Sequence, residues 1–168
     1  MDDYERIAAE LSGMADADQR MRERARTDPD AWDVEVDRAN TGRLKEIIAG
    51  IGWPTVSKVG RAGASAAWLV AQHAPDDLDF MKYCLELMKQ AGPGEVRPSE
   101  VALLEDRVRI AQGQPQRYGT QYCDLGNGYE PFPIEDPERV DERRAAVGLD
   151  TLAENIARVR KLYPVKDR

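Results

Sequence analysis

Apolar residues recur at helical spacing along most of this chain. From Tyr4 to Ala25 they lie three or four positions apart, as on one face of an α-helix, until Thr27-Asp28-Pro29-Asp30 breaks the pattern. A second helix is predicted from near Val36 to Gly52-Trp53-Pro54, where the proline disfavours helical backbone in the preceding residue. The stretch from Ala62 to Ala74 is apolar on nearly every side, which is typical of a central helix.

Four further helices are predicted after that stretch. Each is bounded by residues that favour helix starts or ends, such as Asp, Ser, Gly and Pro. They run from the Pro75-Asp76-Asp77 cap to Gly92-Pro93-Gly94, from Arg97-Pro98-Ser99 to Gly113, from Pro137 to Val147 before a Gly148 C-cap, and from an Asp150 cap through Leu152 to Leu162.

The segment from Gln114 to Pro133 differs in composition, being rich in Gly, Pro, Tyr and Asn. Gly126-Asn127-Gly128 is typical of a turn between Gln121-Tyr122-Cys123 and Tyr129-Glu130-Pro131-Phe132. We therefore expect a small β-hairpin or an ordered loop near residues 114–133. The whole pattern predicts a mainly α protein, a single-domain helical bundle of about six to seven helices over residues 1–168.

Length and charge restrict the possible partners. The 168 residues suffice for one buried core and are few for two domains. The net charge of -7 comes without a basic stripe, so nucleic acid is not an expected partner. Cys84 and Cys123 lie far apart, which favours a cytoplasmic location over a disulfide framework. The charged N-terminus and the lack of a long apolar run predict neither export nor membrane insertion.

Five of the predicted helices carry polar or charged side chains inside their own apolar arcs. These residues are Asp18 and Arg22, Asp37 and Asn40, Gln72 and His73, Arg107, and Arg143 with Arg144. Burying such groups is unfavourable unless they pair with one another or with a ligand. Their spread over several helices predicts one polar pocket inside the core, with the side chains of Asp18, His73 and Arg107 converging on it.

His73 is the only histidine of the chain. A carboxylate that orients one ring nitrogen would leave the other free to act as a general acid or base. Asp18, Asp37 and Asp106 are the candidate carboxylates. Local alternatives exist for each: a hydrogen-bonded core histidine for His73, an ion pair with Arg22 for Asp18, and a helix-start cap for Asp37.

The predicted substrate-binding residues come from three helices and one loop. They are Arg22, Gln72, Arg107, Gln116, Tyr118 and Gln121. A guanidinium keeps its charge and must find an anion, which is either a ligand or a neighbouring carboxylate of the protein. The loop residues would line a pocket or, alternatively, satisfy the backbone of their own turn. Arg143 and Arg144 lie on a short, charged helix, where a solvated face explains at least one of them.

These residues also form part of a longer pattern. It comprises Asp18-Gln19 with Arg22, Asp37 with Asn40, Gly52-Trp53-Pro54, Val59-Gly60 leading to Gln72-His73-Ala74, Leu104 with Asp106-Arg107, the run from Gly113 to Gln121 (Gly-x-Pro-Gln-x-Tyr-Gly-Thr-Gln), and Val140-Asp141 with Arg143-Arg144 and Gly148-Leu149. In this combination the chain resembles an uncharacterised bacterial family, a domain of unknown function. The resemblance implies a bacterial cytoplasmic protein and implies no activity.

The polar residues favour a small cofactor-independent enzyme that uses acid/base chemistry. Its catalytic residues would be His73, Asp18 and Asp106, and its substrate a polar or anionic small molecule or peptide side chain. One alternative is a non-enzymatic ligand-binding or interaction module whose internal polar network only fixes the helix packing. A weaker alternative is a metal-dependent helical enzyme built on His73 and carboxylates, although the sequence contains no metal-binding motif. The sequence leaves the oligomeric state open.

Overall fold

The computed structural model describes residues 2–74, 77–126 and 128–163. Within these ranges it has seven α-helices, two short 3₁₀ turns and one antiparallel pair of strands. The helices are α1 (Asp3–Thr27), α2 (Val34–Ile51), α3 (Val56–Gln72), α4 (Leu78–Gln90), α5 (Pro98–Ala111), α6 (Val140–Ala146) and α7 (Leu152–Leu162), and the strands are β1 (Tyr122–Asp124) and β2 (Tyr129–Pro131). The predicted mainly α fold with a hairpin between residues 114 and 133 is confirmed.

The chain divides into two compact units. The first, Met1–Arg97, contains α1 to α4, and the second, Pro98–Arg168, contains α5 to α7 and the two strands. That the whole chain forms a single domain stays a prediction.

The helix starts correct two details of the sequence analysis. Asp33 caps α2 by accepting a hydrogen bond from the backbone N–H of Glu35, so Asp37 lies one turn inside the helix and is not its cap. Thr151 caps α7 in a capping box with Glu154, so Asp150 is not the cap. Both errors have one cause: several Asp or Thr residues stand near each start, and only one of them lies where its side chain reaches the free N–H groups.

In the first unit, α3 packs against α1, α2 and α4. Its many small residues allow a close approach, since a Cβ at Gly63 would lie 3.5 Å from the Cα of Ala8 on α1. The core side chains include Leu11, Leu44 and Met81, which are at most 2 % exposed. Asn40 ties α2 to α1 by donating a hydrogen bond to the carbonyl of Met14 at 3.2 Å. This packing fixes the relative positions of the ends of α1, α2 and α3.

In the second unit, the strands pair with Cys123 opposite Glu130, and β2 packs against α7. The loop before β1 runs past side chains that leave no space for a Cβ at Gly119, which would lie 2.7 Å from the Cδ1 of Leu152. Gly119 also has a φ of 69°, a left-handed conformation that favours glycine. The left-handed backbone therefore favours glycine at this position of the Tyr-Gly-Thr-Gln sequence, and an added Cβ would also have to displace the end of the Leu152 side chain.

Candidate functional site

His73 and Asp18 form a direct contact in the first unit. His73 is the residue that follows α3, and its backbone N–H bonds to the carbonyls of Leu69 and Val70. Its ring Nδ1 lies 2.8 Å from Oδ1 and 3.0 Å from Oδ2 of Asp18, which α1 holds 1 % exposed. Among the three carboxylates predicted as orienting partners, Asp18 is the one that bonds to the histidine ring.

We assign the proton between these two groups to Nδ1. Burial alone would raise the pKa of Asp18, but the hydrogen bonds from His73 and Gln19, the charge of Arg22 and that of a protonated His73 together hold it below its ordinary value. An ionised carboxylate can only accept, so the ring nitrogen facing it must be the donor. The Nε of Arg22 lies 3.1 Å from both the Asp18 Oδ1 and the His73 Nδ1. Since Nδ1 already carries a proton, the Arg22 Nε–H donates to Asp18.

Arg22 joins a second buried carboxylate to this pair. Its Nη2 donates to Oδ1 of Asp37 at 2.8 Å, and its guanidinium carbon lies 4.6 Å from the centre of the Trp32 ring. Burial raises the pKa of Asp37 above its ordinary value, and the charge of Asp18 acts in the same direction, while Arg22 and His73 oppose both. We call Asp18, Arg22, Asp37 and His73 the histidine cluster.

The histidine cluster borders a pocket of about 540 Å³. Its lining residues are Trp32, Val34, Asp37, Arg38, Thr41, Gly42, Lys45, His73, Ala74 and Asp77. Six of the ten belong to α2 and recur three or four positions apart, so they form one stripe along that helix. The volume lies in the range that is usual for sites that bind small molecules.

The sequence analysis missed most of this pocket. Trp32, Thr41 and Lys45 line it and were not predicted as site residues. A signal was present, because Thr41 and Lys45 follow Asp37 by four and eight positions on the same side of α2. That side mixes glycine, threonine and charged residues, and such a composition is usually read as a solvated helix face.

Arg22 and Gln72, two of the predicted substrate-binding residues, lie beside the pocket and are not among its lining residues. Arg22 directs Nε and Nη2 at carboxylates of the protein, so it positions the cluster. Gln72 is 7 % exposed at the end of α3, next to His73.

The remaining predicted site residues lie in the second unit. Asp106 is fully buried on α5, and its carboxylate accepts from the backbone N–H groups of Arg117, Tyr118 and Thr120 at 2.7–3.1 Å and from the Thr120 hydroxyl at 3.0 Å. Burial raises the pKa of Asp106, and the backbone hydrogen bonds oppose that shift. This geometry anchors a loop, and we leave Asp106 out of the proposed catalytic group.

Gln116 and Gln121 are bonded within the same loop. The Gln116 side chain, which is fully buried, donates to the carbonyls of Gln121 and Phe132 and accepts from the Gln121 N–H at 2.8 Å. The Gln121 side chain donates to the hydroxyl of Thr120. Tyr118 is 9 % exposed, and Arg107 lies half-buried on α5.

Arg143 and Arg144, both on α6, bind this loop. The sequence analysis expected at least one of them to lie on a solvated helix face. Arg144 is 1 % exposed and donates to the carbonyl of Tyr118 at 2.6 Å and to the carboxylate and carbonyl of Asp150. Arg143 donates to the carbonyl of Arg117 at 2.8 Å. We call Asp106, Gln116, Arg143 and Arg144 the loop cluster.

The predicted site residues therefore fall into two groups. Asp18, Arg22, Gln72 and His73 belong to the first unit, and Asp106, Arg107, Gln116, Tyr118 and Gln121 belong to the second. That both groups share one pocket stays a prediction. In the first group the structure brings the His73 ring, the Asp18 carboxylate and the Arg22 guanidinium into mutual contact.

Three further properties concern the described ranges as a whole. Residues 2–74, 77–126 and 128–163 contain no cluster of three or more His, Cys, Asp or Glu side chains arranged to hold a metal ion. None of the helices in these ranges is long and apolar enough to cross a membrane. Cys84 and Cys123 are both free thiols, and burial raises the pKa of Cys84 to about 12.

Comparison with known proteins places the chain in a family. Neither the curated proteins nor the solved structures contain a match to it. A family model matches residues 5–168, which is nearly the whole chain. The chain belongs to the family of unknown function DUF6624.

Proposed function

We propose that the first unit carries out acid/base chemistry on a polar small molecule or peptide side chain, with His73 as the group that transfers the proton. One observation carries this proposal. The Nδ1 of His73 is bonded to buried Asp18, whereas no described residue bonds to its Nε2, and the His73 side chain lines the 540 Å³ pocket. This is the geometry of a histidine base that a carboxylate orients.

The chemistry follows from the proton positions. In the neutral ring the proton is on Nδ1, so Nε2 has a lone pair and accepts a proton from a substrate in the pocket. The resulting imidazolium is stabilised by the ionised Asp18 carboxylate at 2.8 Å. Asp37, whose pKa burial raises, lines the same pocket and is a second group that can hold a proton there. Proton transfer, elimination, cyclisation and hydrolysis all use such a pair, and a positioned acid or base contributes roughly 10²–10⁴-fold to a rate.

The competing function is a binding or interaction module in which the cluster is structural. Arg22 joins α1 to α2 through Asp37, and Asp18 joins α1 to the end of α3, so the same contacts also fix the helix packing. In that case His73 would be a core residue without chemical reactivity. The two functions therefore differ in the reactivity of Nε2.

Diethylpyrocarbonate tests this difference without a known substrate, because it acylates accessible, unprotonated imidazole nitrogens. The chain has a single histidine, so the absorbance change of the modified imidazole reports His73 alone. We expect one modified histidine per chain, at a rate at least equal to that of N-acetylhistidine. In Asp18→Asn the rate falls, since the ring loses the ionised partner that holds it.

The matched control is Asp16→Asn, which removes the same charge from an exposed position of α1. It should react like the native chain. Resistance of His73 to the reagent, or equal rates in the native chain and Asp18→Asn, would favour the structural role.

The location of the protein is part of the proposal. The two free cysteines and the resemblance noted above support a bacterial, cytoplasmic protein. Detection of the endogenous protein in the soluble cytoplasmic fraction of a bacterium that encodes it is the direct check.

A further inference from the structure

The buried charges of the histidine cluster cancel only while the His73 ring carries a proton on both nitrogens. Asp18 and Asp37 are 1 % and 7 % exposed, and both carboxylates share the single guanidinium of Arg22. With His73 neutral, as a base requires, the cluster has a net charge of about -1 when both carboxylates are ionised. An uncompensated buried charge is unfavourable, so the site gains stability from one additional positive charge.

Asp37 presents an acceptor for that charge. Its Oδ1 accepts from Arg22, whereas among the described residues none donates a hydrogen bond to its Oδ2. Asp37 lines the pocket, although its side chain is more than nine-tenths buried. A carboxylate oxygen in this position can accept a hydrogen bond from a molecule in the pocket, and a cationic donor gives the stronger bond.

The cations on the pocket wall are already paired elsewhere. Lys45 Nζ lies 2.5 Å from Oδ2 of Asp77, and Arg38 Nη1 lies 2.6 Å from Oε1 of Glu35. Each of these pairs is neutral as a unit. They therefore leave the excess negative charge at Asp37 uncompensated.

The aromatic side chain among the residues that line this pocket, Trp32, suits an organic cation. Trp32 is 49 % exposed and lines the same pocket as Asp37. Its ring already attracts one cation, the guanidinium of Arg22 at 4.6 Å. An indole beside a carboxylate is an arrangement that attracts ammonium groups both through the ring and through the charge.

We propose that the molecule bound in this pocket carries a protonated primary amine, which binds the Oδ2 of Asp37 beside Trp32. This inference rests on the proposed function, since it identifies the substrate class of the same site. The ammonium group holds the molecule on α2 while the reacting part faces Nε2 of His73. Asp37 is then a substrate-binding residue and Asp18 a positioning residue.

The experiment compares three probes of equal length and different charge: n-butylammonium, n-butanol and butyrate. Binding is followed by nuclear magnetic resonance on the ring protons of His73 and on the indole N–H of Trp32, identified among the three tryptophans with Trp32→Phe. We expect butylammonium to bind at least about tenfold more tightly than butanol, as for a charge-assisted hydrogen bond, and butyrate to bind least. In Asp37→Asn the difference between butylammonium and butanol shrinks to about twofold or less.

Two controls separate the site from general charge and from misfolding. Asp16→Asn makes the same charge change outside the pocket and keeps the tenfold preference. Gly42 lines the pocket on α2 with nothing within 4 Å of an added Cβ, so Gly42→Leu adds a bulky side chain to the pocket wall and weakens butylammonium binding. Gly13→Leu, at an exposed position of α1 with equally open space, leaves binding unchanged.

The proposal is overturned by equal binding of the three probes, by a preference for butyrate, by a preference that survives Asp37→Asn, or by the absence of any butylammonium-dependent shift. Its failure is distinct from that of the proposed function. If the pocket prefers the cation while His73 resists diethylpyrocarbonate, the amine site is supported and the role of His73 as a base is contradicted. If His73 is reactive and the pocket has no cation preference, the base is supported and the amine site is contradicted.

Discussion

The histidine cluster of the first unit and the loop cluster of the second use buried polar side chains in opposite ways. Asp106 directs its carboxylate at four donors of the loop that follows α5, and Gln116 uses both its amide nitrogen and its amide oxygen on backbone groups nearby. In the histidine cluster, no described residue bonds to Nε2 of His73 or Oδ2 of Asp37, and both side chains line a pocket. A buried polar residue is therefore a candidate for function when one of its hydrogen-bonding atoms has no partner in the protein. It is a structural residue when all of these atoms are bonded.

The largest effect should come from removing the centre of the loop cluster. Asp106→Ala leaves three backbone N–H groups without their acceptor, so we expect a loss of about 3–5 kcal/mol of unfolding free energy, measured by urea denaturation. Glu138→Ala, at an exposed position of the same unit, should change it by less than about 0.5 kcal/mol. A loss of under 1 kcal/mol for Asp106→Ala would contradict the structural role.

In the histidine cluster, we expect the largest effect on stability from Arg22, because it pairs with both buried carboxylates. Arg22→Met leaves two buried carboxylates without their shared cation and should reduce the unfolding free energy by about 2–4 kcal/mol. Adding Asp37→Asn removes one of those charges, so the double variant should recover at least about 1 kcal/mol relative to Arg22→Met. Additive losses would show that the two charges do not interact.

A smaller effect is expected for His73 itself. His73→Ala removes one of three donors to Asp18 and leaves those of Arg22 and Gln19, so the loss should be about 1 kcal/mol. Denaturation of this variant beside Asp106→Ala compares the two clusters directly. A loss of several kcal/mol would show that His73 is a structural core residue, and the two clusters would then not differ in this respect.

The smallest expected effect is the contribution of Asp37 to the pH dependence of the unfolding free energy. Its pKa is raised in the folded chain, so above the unfolded-state pKa, near 4, the folded state retains a proton that the unfolded state has lost. The retained proton therefore stabilises the folded state at low pH, and this stabilisation is lost as pH rises through the folded-state pKa of Asp37. Asp37→Asn should therefore gain stability relative to the native chain as pH rises from about 4 to 7.

The opposite sign is expected for Asp18, whose pKa is lowered in the folded chain. The contribution of Asp18 to stability is present above its unfolded-state pKa and is lost as pH falls through its folded-state pKa.

A stability difference between Asp37→Asn and the native chain that is constant over pH would show that the pKa of Asp37 is not perturbed.

The helices could be predicted from the sequence because their apolar spacing and their Gly, Pro and Asp boundaries are local signals. The pairing of Asp18 with Arg22 was also local, since the two residues are four positions apart on one helix. The choice among three carboxylates as the partner of His73 does not follow from neighbouring residues in the sequence. That choice depends on how α1 packs against α3, and the sequence pattern does not specify it.

Arg144 shows why the second cluster was harder to predict. A charged residue on a short, charged helix is usually solvated, yet this guanidinium is 1 % exposed. Two backbone carbonyls and the Asp150 carboxylate compensate its burial, and these acceptors come from residues whose positions depend on the loop conformation. The pocket wall was missed for a related reason, since Trp32 and Lys45 gain significance only through the concavity beside them.

The tautomer of His73 tests the central claim most directly, because the base requires Nδ1–H and a free Nε2. With one histidine in the chain, nitrogen–proton correlation spectra of the imidazole ring report this residue without ambiguity. The geometry predicts Nδ1–H as the main neutral form, the reverse of free histidine in water. A predominant Nε2–H form would place the proton on the nitrogen that should act as the base, and would contradict the account.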